Sequence, residues 1–480
     1  MNELSHSGSG ASRRILVDAV EAARRSLSGL LSQMPSQGGG DPATAEAIEA
    51  AQHVLDRLAP SSNPSEKRMS SDSGTDLVFD VSDLLAYFPS NRSPTGIQRV
   101  QMEVINSFVN GDADQGVRLC RFLKERDHWA EVPVALFQDL CVASSAAGDA
   151  RAKDWLATYD RLDSASRGGD AMSFRPGTVL VNLGSSWWLP NYFLQIRHLK
   201  KTMNVRYVPL IYDMIPAITP QYCTPELVTE FRTWLIGVLD HADYFLAISE
   251  ATRRDLIDLA AKVGRDIAQD QVGVVTLDAD FRNASVIARG AHQSPARIMG
   301  RYVLFVSTYE SRKNQLGAID AWRALINELG VENVPQLVLV GRIGFHGNKI
   351  AERLAQDDVL NRRVTQLFDV DDEWLANLYN HSMFTLYPSM YEGWGLPVTE
   401  SLCYGKVPLI ADNSSLPEAG GDFSVYFATG SGSELLAQLR KLIADEPFRK
   451  RLEQKIARGF RPRTWSAIAG QVASLVRSWS

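Results

Sequence analysis

At 480 residues and 45% hydrophobic content the chain is long enough for two or three domains, each with its own core. Its net charge of −6 argues against a nucleic-acid binder. Cys120, Cys141, Cys223 and Cys403 are scattered without CxxC spacing, which argues against a disulfide frame or a zinc site and makes a reducing compartment the default. No apolar run reaches the length of a membrane span, and the N-terminus lacks the apolar core of a signal peptide, so a cytoplasmic protein is expected.

Residues 1–75 differ from the rest. Leu16, Val20, Ala23, Leu27, Leu30 and Met34 follow alternating four and three spacing, a heptad-like stripe flanked by Arg13, Arg14, Arg24 and Arg25. A triple-glycine break follows, then a second helical stretch with Ile48, Ala51, Leu55 and Leu58 on one face, and a Ser-rich linker from Pro60 to Gly74. Two readings stay open for this extension. It is either a poorly ordered tail with some helix, or a helical hairpin for oligomerisation, partner docking or peripheral contact with the inner face of a membrane.

From Leu77 the pattern changes to strands alternating with helices, the signature of a parallel α/β architecture. Leu77–Val81 reads as a first strand, and Gly96 opens a helix running to about Val109. Gly96 either lets the loop pass close to a ligand or is a plain turn glycine. Residues 142–172, rich in small and polar side chains, read as a partly helical surface excursion. The pattern resumes at Thr178–Leu183, followed by the adjacent Trp187 and Trp188 at a strand's carboxyl end, where ligands of α/β sheets bind. Either tryptophan could stack on a sugar ring, and at least one should be core. Strand Arg206–Asp213 ends in Asp213, which could bond a substrate hydroxyl or cap the next turn. A helix from about Glu226 and a strand Tyr244–Ile248 follow, then a further helix on which Ser249 and Arg253 read as a cap and a solvated face.

After a weakly patterned linker over 281–300, a second α/β unit begins with strand Tyr302–Val306. Arg312 and Lys313 lie in the polar turn beyond it. Strands are expected at Leu337–Val340, Val364–Phe368, Met383–Pro388 and Val407–Ala411. Between the last two stands Glu392-Gly393-Trp394-Gly395-Leu396-Pro397-Val398-Thr399-Glu400. Two glycines permit a sharp turn and close approach to a ligand, Pro397 suits the first turn of a helix, and Gly405 suits its C-terminal end. Unpaired amides at that helix start attract anions, and carboxylates accept bonds from vicinal hydroxyls. Glu392 and Glu400 bracketing a helix N-terminus therefore suit a ligand with phosphate and sugar parts. The C-terminal segment places Trp465, Ile468, Val472, Leu475, Val476 and Trp479 on one helical face, as for packing against another domain.

Several stretches together resemble one family. They are Glu392-x7-Glu400 within Tyr387–Pro397, Glu310-Ser311-Arg312-Lys313-Asn314, Ser414–Gly421, Pro94–Arg99, Tyr212–Pro216 and Ala247–Thr252. In these the chain resembles the retaining glycosyltransferases of family 4, particularly bacterial mannosyl- and fucosyltransferase-like members of surface polysaccharide pathways. The resemblance runs from about Leu77 to Trp479. It implies an α/β protein of GT-B architecture, with two Rossmann-like domains facing across a cleft. On that basis 1–75 is an N-terminal extension, 76–295 an acceptor domain, 296–460 a nucleotide-sugar donor domain, and 461–480 a helix packing back on the first domain.

The family also implies roles. Arg312 and Lys313 would neutralise a donor diphosphate and Glu400 would hold the ribose hydroxyls. Glu392 would sit at the donor sugar, with the amides of Gly393, Trp394, Gly395 and Leu396 around sugar and phosphate. Glu392, Lys313 and Arg312 form the expected catalytic set. Thr308 stands where many relatives have arginine, and Tyr212 where many have histidine. Gly96, Trp187, Trp188 and Asp213 would line the acceptor side. No cofactor and no metal are expected: no metal-binding Asp-x-Asp element stands in the family's context, and the resemblance implies that electrostatic stabilisation of the departing diphosphate is the main catalytic effect. Loss of Lys313 or Glu392 should thus cost rate and leave the fold nearly intact.

The expected partners are a nucleotide-diphosphate sugar, GDP-mannose or GDP-fucose favoured, and a glycan or lipid-linked acceptor. A UDP-hexose donor is the nearest rival. A catalytically silent scaffold or sugar sensor of the same fold is less consistent with the intact Glu392, Lys313 and Glu400. A dehydrogenase is disfavoured because no GxGxxG follows an early strand with an acidic partner downstream.

Overall fold

The computed structural model describes residues 76–94, 96–110, 117–145, 149–280, 282, 298 and 300–479. The N-terminal extension, with its apolar stripe, and most of the 281–300 linker lie outside the described residues, as does the expected boundary between the α/β domains.

Among the described residues two sheets form. The first, of seven strands, has the order β3-β2-β1-β4-β5-β6-β7. Its strands are β1 Leu77–Asp80, β2 Arg118–Leu123, β3 His128–Val132, β4 Val179–Asn182, β5 Arg206–Ile211, β6 Phe245–Ala247 and β7 Val272–Val274. All neighbours are parallel except β2 and β3, an antiparallel hairpin at the edge. The second sheet is wholly parallel, with order β10-β9-β8-β11-β12-β13. It comprises β8 Tyr302–Val306, β9 Gln336–Val340, β10 Val364–Leu367, β11 Thr385–Tyr387, β12 Pro408–Ala411 and β13 Val425–Phe427. Every residue of β4, β9 and β12 is buried, as expected of strands covered on both faces.

Both sheets reverse direction of winding at their first strand. In the second, β9 and β10 lie on one side of β8, and β11, β12 and β13 on the other. A parallel sheet opens a crevice at such a switch point, beyond the carboxyl ends of its strands. The loops after β8 and β11 flank that crevice and carry Arg312, Lys313 and Glu392. In the first sheet the equivalent loops follow β1 and β4, and the second of these carries Trp187 and Trp188.

The segment 142–172 is not a surface excursion. The helix Lys153–Gly168 buries Trp155 and Leu162 completely. Trp155 meets Phe88 edge-on at 5.3 Å and has the Arg92 guanidinium over its ring. Small polar residues dominate the stretch by number, but its few large apolar ones fall on one helical face, and that face decides its place.

The C-terminal helix Trp465–Ser478 crosses back to the first sheet. Trp479 stacks on Tyr244 at 4.7 Å, and Gln471 Nε2 donates to the carbonyl of Val274 (2.8 Å). Just before the helix, Arg463 Nε bonds Asp278 (2.7 Å). Residues 74–480 accordingly form one compact unit. No helix among the described residues is long and apolar enough to cross a membrane. None of the four cysteines is joined in a disulfide.

Candidate functional site

The loops after β8 and β11 are laced together before any charged group is considered. Beyond β8 the chain makes a single tight turn, Ser311–Lys313, and Asn314 redirects it with φ 59° into the helix Gln315–Leu329. Asparagine tolerates that left-handed conformation better than most residues. Its Nδ2 donates to the Pro388 carbonyl (3.2 Å), and the Met390 amide donates to the Arg312 carbonyl (2.8 Å). The turn is thereby anchored to the loop that carries Glu392.

Glu392 is buried, with 8% of its surface exposed, and sits between two cations. Lys313 Nζ lies 2.7 and 2.9 Å from its two carboxylate oxygens, and Arg312 Nη1 lies 2.9 Å from one of them. Arg312 also donates to the Tyr391 carbonyl (2.6 Å) and to Glu310 (3.1 Å). Burial opposes ionisation of Glu392, but Lys313 and then Arg312 outweigh it and hold the carboxyl down at about 2. The Arg312 guanidinium is held above its ordinary value despite burial, by Glu392 and Glu310. The backbone of Glu392 is gripped as well. Its amide donates to Ser414 Oγ (2.8 Å) and its carbonyl accepts from Ser415 Oγ (2.9 Å).

The residues that follow divide between packing and turning. A Cβ on Gly393 would fall 2.2 Å from the Tyr212 carbonyl oxygen, so this glycine permits contact with the end of β5 in the first domain. Gly395 has φ 100° and makes the turn into the helix Leu396–Cys403. The Gly393 backbone thus makes a close approach to the opposite domain. The Trp394 ring is core, 4% exposed, with Nε1 bonded to Thr399 (3.0 Å). Leu396 is half-buried at the helix start, and Pro397 lies in its first turn. Lys313, Glu392, Gly395 and Pro397 surround a small hollow of about 10 Å³. Thr308 is exposed beyond β8.

Glu400 projects elsewhere. It accepts a bond from Tyr379 Oη (2.7 Å) and lines a hollow of about 20 Å³ with Arg99, Asp372, Tyr379 and Tyr404. Burial pushes its carboxyl above the ordinary value, against the Tyr379 bond and the charge of Arg99. Arg99 belongs to the first domain, on the helix Ile97–Asn110, and bonds Asp372 across the cleft at 3.0 Å. Glu392 and Glu400 therefore flank the same helix start but face separate hollows.

On the first-domain side, a cavity of about 250 Å³ opens against Arg312 and Glu310. Trp187, Asp213, Ile215, Cys223, Phe231 and Trp234 line it, with Phe345 from the second domain. Trp187 meets Trp234 edge-on at 5.8 Å, packs on the core around Phe231, and lines the space. Trp188 is also half-buried and packs on the core under β1, β4 and β5, outside this lining. Asp213 accepts from the Ile215 amide (2.9 Å), so it caps the turn and still lines the cavity. Burial raises its carboxyl and Arg312 opposes the shift. Gly96 has φ 46° and open space around it, and the next residue, Ile97, lines this cavity.

Some residues of the cleft escaped the sequence reading. The Ser249 hydroxyl does cap its helix, accepting from the Thr252 amide (3.0 Å), and Arg253 is part-exposed and paired with Glu250 (2.5 Å), while another face of the helix packs on the second domain. Thr252 is buried, Tyr391 Oη donates to Asp255, and both carboxylate oxygens of Glu418 accept from the amides of Glu250 and Ala251. Arg99, Thr252 and Glu418 stood in the family-like stretches, yet nothing local indicated their partners. Among the described residues no group of three or more His, Cys, Asp or Glu side chains is placed to hold a metal ion.

Comparison with known proteins bears on the second half first. The family described as glycosyl transferases group 1 matches residues 291–458. Among curated proteins the chain is similar to the serotype-specific mannosyltransferase WbdA of Escherichia coli, 25% identical over 244 residues covering 49% of this chain and 29% of that one. It is also similar to the O-antigen chain mannosyltransferase B of the same organism, 26% identical over 262 residues, 54% of this chain and 66% of the relative. The chain thus spans under a third of the first of these relatives. Among solved structures, Anabaena Alr3699/HepE in complex with UDP and glucose aligns with a TM-score of 0.55 at 15% identity, over 84% of this chain and all of that one. The fold is therefore shared well beyond the matched family segment. Residues 291–458 match the group 1 glycosyl transferase family, and the chain that carries them shares the two-domain GT-B fold.

Proposed function

We propose that the chain is a retaining, metal-independent hexosyltransferase that moves a sugar from a nucleotide-diphosphate donor to a glycan or lipid-linked acceptor in bacterial surface polysaccharide synthesis. One observation carries the reading. A buried carboxylate, Glu392, is held by Lys313 and Arg312 at the switch point of the donor sheet, beside a helix N-terminus. A diphosphate placed there meets two cations already oriented by their counter-ion and a row of first-turn amides.

Transfer then runs as front-face attack. The bond from the sugar's anomeric carbon to the phosphate oxygen breaks, an acceptor hydroxyl oxygen bonds the same carbon, and its proton passes to the leaving phosphate. No protein nucleophile is used. Lys313 and Arg312 shift part of their charge from Glu392 to the departing diphosphate, and Glu392 stays beside the sugar. Glu400 holds the ribose. The acceptor's terminal sugar enters the cavity lined by Trp187 and Asp213, whose volume of about 250 Å³ suits a single ring. GDP-mannose is the favoured donor because the curated relatives are mannosyltransferases. Peripheral membrane contact or oligomerisation would fall to residues 1–75.

The test is turnover with GDP-mannose, GDP-fucose and UDP-hexoses, read as nucleoside diphosphate release and by the anomeric configuration of the product, with and without a metal chelator. Transfer from a GDP-sugar with retained configuration supports the reading. No release from any sugar nucleotide, or an inverted product, would overturn it.

A further inference from the structure

We propose that Glu418 is a positioning residue that couples closure of the cleft to the placement of Glu392; its kinetic part rests on the glycosyltransferase reading above. Glu418 lies on the short helix Leu416–Gly420 of the second domain. Its two carboxylate oxygens accept from the amides of Glu250 (2.7 Å) and Ala251 (2.8 Å), at the start of the helix Glu250–Lys262 in the first domain. First-turn amides have no partner inside their own helix and carry the positive end of its dipole. A carboxylate from the opposite domain satisfies two of them at once. Ser249 Oγ takes a third, from Thr252.

The same helix grips the catalytic loop. Thr252 Oγ1 lies 3.4 Å from the Gly393 carbonyl, and Asp255 accepts from Tyr391 Oη. On the other side of that loop, Ser414 and Ser415, just upstream of Glu418, hold the amide and carbonyl of Glu392. The contacts form a closed circuit: Glu418 to residues 250 and 251, then Thr252 to Gly393, Glu392 to Ser414 and Ser415, and back to Glu418. Gly393, pressed on the Tyr212 carbonyl, keeps the circuit tight. Separation of the domains breaks the Glu418 and Thr252 contacts together and releases the loop that orients Glu392. Glu418 itself faces neither the Lys313–Glu392 hollow nor the larger cavity.

The experiment compares wild type with Glu418→Gln and Glu418→Ala in the full-length chain. Small-angle scattering without ligand and with GDP reads closure, calorimetry with GDP reads donor-side binding, and turnover of GDP-mannose reads catalysis. The expected result is a larger radius of gyration in both variants and a fall in kcat of about tenfold, within the range of coupling between linked sites. GDP affinity should stay near wild type, because the proposed diphosphate and ribose contacts lie in the second domain. Glu418→Gln, which keeps one acceptor oxygen without the charge, should fall between wild type and Glu418→Ala, and it carries the test if the alanine variant fails to fold. Wild-type scattering in both variants would overturn the proposal. So would an opened structure with unchanged kcat, or a lost kcat with an unchanged closed structure. If wild type itself turns over no sugar nucleotide, the functional reading fails, while scattering still decides whether Glu418 holds the domains closed.

Discussion

Lys313 and Glu392, 79 residues apart in the chain, form a two-pronged ion pair in which Nζ lies 2.7 Å from one carboxylate oxygen and 2.9 Å from the other. Arg312 shares the second oxygen at 2.9 Å. The cations assigned to a diphosphate thus have an internal counter-ion. It keeps them oriented without ligand, and a diphosphate must compete with it. Preorganised charge of this kind is effective because little rearrangement accompanies the reaction.

Lys313→Ala is expected to lower turnover by roughly a hundredfold to a thousandfold, the loss typical of removing one group that stabilises developing negative charge. Stability should fall as well, because Lys313 is the larger of the two charges that hold the buried Glu392 carboxyl down, although Arg312 still pairs with it. Nucleotide release and thermal unfolding check both parts, and a Lys313→Ala variant at wild-type rate would remove Lys313 from the site.

Glu392→Gln tests the pair from the other side. With the folded carboxyl at about 2 against an ordinary 4.5, the charged form stabilises the fold above the unfolded value, and that contribution is lost as pH falls from about 4.5 to about 2. The shift corresponds to roughly 3 kcal/mol. Glu392→Gln should therefore lose activity, unfold more easily near neutral pH and show a flatter loss of stability in acid than wild type. Urea denaturation at about pH 7 and about pH 3 measures this. The sequence reading expected rate to suffer and the fold to stay nearly intact. Burial of two cations against this one carboxylate predicts otherwise, because its removal leaves them uncompensated.

Gly393→Ala should destabilise the chain by about 1–3 kcal/mol, the usual effect of forcing an added methyl into packed surroundings. The new Cβ would fall 2.2 Å from backbone, which cannot swing aside as a side-chain end can. Thermal unfolding reads the stability change, and a loss of turnover alongside it would show that the catalytic loop moves. An unchanged melting temperature would contradict the close contact with Tyr212.

The adjacent tryptophans should behave oppositely. Trp187→Ala is expected to raise the acceptor KM several-fold with little change in nucleotide affinity, because its ring walls the acceptor-side cavity. Trp188→Ala should act mainly on stability, by about 2–4 kcal/mol, since that ring packs on the core. Equal kinetic effects from both would refute the division.

Much of this architecture was legible in residue patterns. The apolar runs at Tyr302–Val306 and Leu337–Val340 became β8 and β9, and Gly395, Pro397 and Gly405 marked a helix that the structure runs from Leu396 to Cys403. These signals are local, set by backbone sterics and by burial on both faces of a parallel sheet. The antiparallel hairpin of β2 and β3 departs from the strand–helix alternation and is not legible from it. The segment around Trp155 is small and polar in composition, and the burial of one large side chain sets its place.

What the sequence determined by itself was the set of elements and the chemistry available at their ends: two α/β units, a cation pair after one strand, and two carboxylates flanking a helix start. Tertiary structure alone decided who meets whom. It set Glu392 against Lys313 and Arg312, turned Glu400 toward Tyr379 and Arg99, separated Trp187 from Trp188, and joined Glu418 to a helix start 168 residues away. Strand and helix periods repeat over a few residues and can be read along the chain. Partnerships across a cleft depend on strand order and on the packing of whole sheets, which no local period encodes.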